Sequence, residues 1–109
     1  MRGVVHCFTG DAAQATTFVE EFGMLLGIGG VVTFKTAEGL REAVRTVGLA
    51  PIIMETDCPY LAPVPYRGKR NEPAFLVESA NAVATLLERS AAEVAAATLA
   101  TARVLFGLE

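Results

Sequence analysis

The sequence predicts an α/β fold with parallel strands. Three observations carry that expectation. Short apolar runs alternate with segments of helical period, in the order strand-helix-strand-helix-strand. The strands are apolar almost throughout, as in sheets covered by crossover helices. The third run, Pro51-Ile52-Ile53-Met54, ends in Glu55-Thr56-Asp57-Cys58-Pro59, so two carboxylates fall where parallel α/β sheets bind ligands.

The first strand is read over Gly3-Val4-Val5-His6-Cys7-Phe8, followed by a turn at Thr9-Gly10-Asp11. Asp11 can cap a helix with Gln14 in support, and Ala15, Phe18, Val19 and Phe22 share one face of it. Gly23 suits the helix end. Met24-Leu25-Leu26-Gly27-Ile28-Gly29 reads as the second strand. Gly29-Gly30 suits a bend or close approach, and Val31 to Phe34 continues extended or turns. Thr36 can cap the next helix, with Leu40, Ala43, Val44 and Val47 as its stripe and Gly48 as its end. The third strand follows.

The stretch from Tyr60 to Pro73 has no periodicity, and structureless loops this long are often functional. Pro73 can open a long helix whose buried side is Leu76, Ala80, Val83 and Leu87. Ser90-Ala91-Ala92-Glu93 is a capping box opening a last helix. Val94, Ala97, Thr101, Val104 and Leu105 are expected to face inward there, and Gly107 to end it.

The totals limit the possibilities. At 109 residues the chain is one domain or a piece of one. It is 52% hydrophobic, with a mean hydropathy of +0.43, which excludes a disordered chain and suggests surface that expects a neighbour. The net charge of -3 argues against a general polyanion binder. No secretory pattern or apolar run near the length of a membrane span is present, so a cytoplasmic protein is expected. Cys7 and Cys58 are expected to be reduced.

His6 is the single histidine, and such a residue is more often a core or capping group than a ligand. Position favours more here, because His6 and Asp57 fall at the same end of candidate parallel strands. An imidazole and a carboxylate converging there suit a divalent cation, although a hydrolytic centre normally takes three or more protein ligands. Asp57 is a candidate ligand, general base, or both. In a strand Glu55 shares a face with Ile53 and Asp57, and structural and functional roles weigh equally for it. Arg67, Lys69 and Arg70 form the only dense positive cluster, either a solvated loop or a phosphate site. Tyr60 and Tyr66 flank that loop and could stack on a base, though packing is the commoner role.

Five segments together carry a resemblance: His6-Cys7-Phe8-Thr9-Gly10, Gly27-Ile28-Gly29-Gly30, Thr33-Phe34-Lys35, Glu55-Thr56-Asp57-Cys58-Pro59-Tyr60-Leu61 and Arg67-Gly68-Lys69-Arg70-Asn71-Glu72-Pro73. In order and spacing the chain resembles the TatD family of metal-dependent deoxyribonucleases, within the amidohydrolase-like superfamily. The resemblance implies a partial (βα)8 TIM barrel, about the last three strand-helix units with a C-terminal helix, forming a single incomplete domain over 1–109. It implies hydrolysis of phosphodiesters, as a 3'-5' exonuclease-like DNase, with one or two divalent cations (Mg2+, Mn2+ or Zn2+). His6 and Asp57 are then metal ligands, with Asp57 also the catalytic acid/base. Arg67, Lys69 and Arg70 lie near the phosphate, and Glu55, Asn71 and Glu72 are supporting residues. The family's H-x-H pair, middle glutamate and further histidine have no counterpart, and a whole barrel needs about 250 residues. The chain therefore reads as the carboxyl-terminal part of a longer hydrolase, expected to meet DNA or another phosphodiester and to associate with itself or a missing half. An open sheet would leave its inner face uncovered. The alternative is an inactive interaction module. A third reading, a doubly wound phosphate-binding domain, would use the helix starts near Asp11 and Thr36.

Overall fold

The computed structural model describes residues 3–108. Three parallel strands form one sheet in the order β1-β2-β3: β1 is Val4–Val5, β2 Leu25–Ile28 and β3 Ile52–Met54. Val4 and Val5 pair with Leu25 and Leu26, and Leu26, Gly27 and Ile28 pair with Ile52, Ile53 and Met54. Each strand is joined to the next through a helical crossover, as the alternating pattern predicts. A sheet whose spatial order follows the chain order has no point where the winding reverses, so the doubly wound reading is set aside.

Helix α1 (Ala12–Thr16) opens on the predicted capping box, in which Asp11 accepts from Gln14 N and the Gln14 side chain accepts from Asp11 N. It then widens into a π-helical turn, Thr17–Glu21. That turn breaks the regular 3.6 spacing, and Phe22 ends 46% exposed rather than buried. After β2 the chain makes a 3-10 turn over Gly30–Thr33. Helix α2 (Glu38–Val47) buries Leu40, Ala43 and Val44. Its N-cap is Ala37 with no side-chain cap, so the expected Thr36 cap does not form. Instead the Arg41 guanidinium donates to the carbonyls of Val32 and Phe34 and ties the turn to the helix.

A turn over Pro73–Phe75 leads into α3 (Leu76–Leu87), and the predicted Ser90–Glu93 capping box opens α4 (Ala91–Phe106). Gly107 closes α4 in the left-handed region, at φ 68°. In α4 it is Val94 and Thr98 that are buried, whereas Val104 is 60% exposed, against the expected inward stripe.

The core lies on one face of the sheet. Leu26, Ile28 and Ile52 meet Leu40, Ala43 and Val44 of α2, Val83 and Ala84 of α3 and Val94 of α4 in a single cluster. The opposite face carries Leu25, Gly27, Ile53 and Glu55, by alternation. It was expected to lie bare, but Ile53 is only 8% exposed, and Glu55 lies across Gly27. Val77, Leu99, Phe106 and Leu108, on α3, α4 and just beyond, are each more than half exposed.

Candidate functional site

β1 and β3 flank β2, and all three end on the same side. His6 and Cys7 follow β1 directly in a turn, and Glu55 to Asp57 follow β3. The first strand is shorter than the predicted Gly3–Phe8 because the backbone leaves the ladder at His6, and Cys7 takes a left-handed conformation with φ 51°. Phe8 N then rejoins β2 through the Gly27 carbonyl at 3.0 Å. Glu55 N continues the ladder one residue beyond β3, donating to Ile28 O at 3.0 Å.

This brings His6, Glu55 and Asp57 together across 49 to 51 positions of sequence. His6 Nδ1 is 3.0 Å from Glu55 Oε2, and His6 Nε2 is 3.6 Å from Asp57 Oδ1. The other Glu55 oxygen accepts the backbone N–H of Cys7. Gly27 makes room for this, since a Cβ there would overlap the Glu55 carboxylate. The hydrogen bond and charge of Glu55, with a smaller contribution from Asp57, raise the His6 pKa above its ordinary value. Burial raises that of the Cys7 thiol, as do the Asp57 and Glu55 charges. Both cysteines are free thiols.

His6 Nε2 and Asp57 Oδ1 are spaced to share one ion: two donors each about 2.1 Å from a tetrahedral centre lie about 3.4 Å apart. Glu55 is turned toward His6 Nδ1 and Cys7 N–H, each of its oxygens holding one of these contacts. Among the described residues, no group of three or more His, Cys, Asp or Glu side chains is gathered to hold a metal ion. The donor set therefore fits part of a divalent site.

The long loop after Asp57 is fastened at several points. Tyr60 N donates to Asp57 O at 2.8 Å, closing a tight turn that includes a cis Cys58–Pro59 bond. Asn71, 3% exposed, donates from Nδ2 to Tyr60 O and accepts from Glu72 N, while its own N–H reaches Pro59 O. Thr33 accepts from Val64 N at 2.8 Å. The Tyr66 ring stacks on Phe75 at 3.9 Å, which packs one of its faces, whereas Tyr60 is 70% exposed.

The basic cluster divides. Arg67 lies over the Phe34 ring, 3.8 Å from its centroid, a cation–π contact. Lys69 and Arg70 are exposed. Arg70 lines a cleft of about 440 Å³ with Cys58, Pro59, Asn71, Glu72 and Pro73, immediately beyond Asp57. Sequence reasoning missed the anchoring roles of Thr33 and Phe34 and the way Glu55 grips His6. The last had a usable signal: Gly27, the one residue without a side chain in β2, is on the face where Glu55 projects.

A relative from Mycobacterium tuberculosis, "Uncharacterized metal-dependent hydrolase TatD", is 46% identical over 96% of this chain and 39% of its own length. The Escherichia coli "Uncharacterized metal-dependent hydrolase YcfH" is 45% identical over 88% of this chain and 36% of its own. The chain thus spans about two-fifths of the length of the curated relatives it matches. Among solved structures, the Escherichia coli TatD homologue YJJV superposes with a TM-score of 0.88 at 32% identity, over 98% of this chain and 41% of that one. A TatD family hydrolase from Entamoeba histolytica shares the fold, with a TM-score of 0.84 at 20% identity. The family model for TatD related DNases matches residues 1–107, and the chain belongs to that family.

Proposed function

We propose that this chain forms the carboxyl-terminal part of a metal-dependent hydrolase of ester bonds, a DNase with 3'-5' exonuclease-like action on phosphodiesters. The observation that carries the reading is the 3.6 Å approach of His6 Nε2 and Asp57 Oδ1 at the carboxyl ends of two parallel strands. These two side chains would hold a divalent cation (Mg2+, Mn2+ or Zn2+) jointly with ligands from outside this chain. Such an ion supplies Lewis acidity and lowers the pKa of a bound water. Asp57, with 43% of its side chain exposed, is open to a substrate-side water and can accept its proton. Of the basic residues, Arg70 lines the cleft beyond Asp57 and is placed to meet a phosphate there, while Arg67 rests one face of its guanidinium on Phe34. A cytoplasmic setting goes with the two free thiols.

The test is cleavage of single-stranded DNA by the purified chain, by its Asp57→Asn variant and in the presence of EDTA. Cleavage abolished by both controls supports the proposal. Cleavage that survives both overturns it.

The exposed apolar residues Val77, Leu99, Phe106 and Leu108, with only two donors at the site, favour a second reading. In it the chain is an interaction module that binds itself or the rest of a barrel. A folded, self-associating chain whose His6 and Asp57 take no divalent cation in the assembled state would favour this reading.

A further inference from the structure

The Glu55 carboxylate decides which nitrogen of His6 faces Asp57. An ionised carboxylate can only accept hydrogen bonds. One Glu55 oxygen takes the Cys7 N–H, a backbone donor with no alternative. The other lies 3.0 Å from His6 Nδ1, so in the neutral imidazole Nδ1 must carry the proton. Nε2 is then left with a lone pair, 3.6 Å from the carboxylate of Asp57. Two electron-rich atoms facing each other beyond hydrogen-bond distance are arranged for a cation between them.

We propose that Glu55 is a positioning residue, seated in the gap left by Gly27, that locks His6 in its Nδ1–H tautomer and so presents Nε2 as a ligand. The tautomer assignment stands on hydrogen-bond geometry alone, while its use in catalysis rests on the metal-site reading above. The seat is specific. Gly27 and Ile53 are paired neighbours, so Glu55, two residues on, projects over the same face. Its side chain is only 16% exposed, and a Cβ at position 27 would displace it. Histidines that bind metals commonly donate their other nitrogen to a carboxylate in this way.

The chain has one histidine, so every imidazole nitrogen signal belongs to His6. The experiment is ¹⁵N NMR of the full chain, at a pH above the His6 titration, with Zn2+ as the probe ion. In the wild type Nδ1 should carry the proton, and Zn2+ should move the Nε2 signal. In Glu55→Gln the single amide oxygen stays with Cys7 N–H and the NH2 group meets Nδ1. The proton then moves to Nε2, and apparent Zn2+ affinity falls by about ten- to a hundredfold. Gly27→Ala should release the same lock from the opposite strand, giving a mixed tautomer. Dispersed amide spectra confirm folding of each variant. A wild-type Nε2–H tautomer overturns the proposal without any variant, as does an Nδ1–H tautomer retained in Glu55→Gln. If the tautomer obeys the prediction but Zn2+ never moves Nε2, the positioning role stands and the metal reading fails.

Discussion

Asn71 holds the two ends of the long loop together, and its truncation gives a measurable loss. The residue is 3% exposed, so its side-chain groups meet protein rather than water. Asn71→Ala removes the bond to Tyr60 O and the bond from Glu72 N, both at 2.9 Å. Each net bond contributes about 1 kcal/mol, and the vacated volume adds a little more, so a loss of about 2–3 kcal/mol is expected. With a urea slope of about 1–1.5 kcal/mol/M for a domain of this size, the unfolding midpoint should fall by about 2 M. Asn71→Asp separates the two bonds. It retains an acceptor for Glu72 N but sets an oxygen against Tyr60 O, so it should be destabilised at neutral pH. It should recover as the pH falls and the new carboxyl gains a proton to donate. A loss below about 0.5 kcal/mol for Asn71→Ala would refute the reasoning, as would an Asn71→Asp chain as stable as the wild type at neutral pH.

Other perturbations follow the same logic. Gly30→Ala would drive a methyl group into Leu61 O and near Pro63 N, both backbone, and should cost about 1–3 kcal/mol in denaturant unfolding. Ile52, fully buried between the sheet and its helices, should cost about 2–5 kcal/mol as Ile52→Ala by the same measure. Val77, 54% exposed, should cost less than about 0.5 kcal/mol as Val77→Ser. The Glu38 carboxyl is held below its usual range by hydrogen bonds from Arg45 and Arg41. Its contribution is present above the ordinary carboxylate pKa and lost as pH falls through the depressed value. Thermal melts should therefore show Glu38→Gln less stable than wild type at neutral pH, with the gap closing in acid and shrinking in high salt.

What the sequence made legible was local or periodic. The capping boxes at Asp11–Gln14 and Ser90–Glu93 span four residues each, and both form. The alternation of apolar runs with helical stripes is enough to predict the parallel pairing, and the strand order comes from the structure. Features set by distant partners were not legible. β1 stops at Val5 because Cys7 turns its N–H toward Glu55, 48 residues away. Thr36 was a sensible cap by its chemistry, but the Arg41 guanidinium reaches back to the Val32 and Phe34 carbonyls and sets the geometry of that turn. Val104 has the spacing of a core residue, yet more than half of it is exposed. Period tells which face a residue is on, not whether anything covers it.

The two acids after β3 show how position divides like chemistry into unlike roles. Glu55 is still inside the hydrogen-bonded ladder, so its side chain is directed by strand alternation onto Gly27 and from there to His6. Each of its oxygens holds one contact, to His6 Nδ1 or Cys7 N–H, and its side chain is 16% exposed. Asp57 comes after the ladder has ended, in the turn closed by Tyr60 N, with 43% of its side chain exposed. One carboxylate is therefore committed to orienting an imidazole, and the other is left open to an ion or a water. Substituting them should separate along that line. Asp57→Asn removes a charged donor while His6 keeps its tautomer, because the contact at Nδ1 is untouched. Glu55→Gln leaves both donors in place and turns one of them the wrong way.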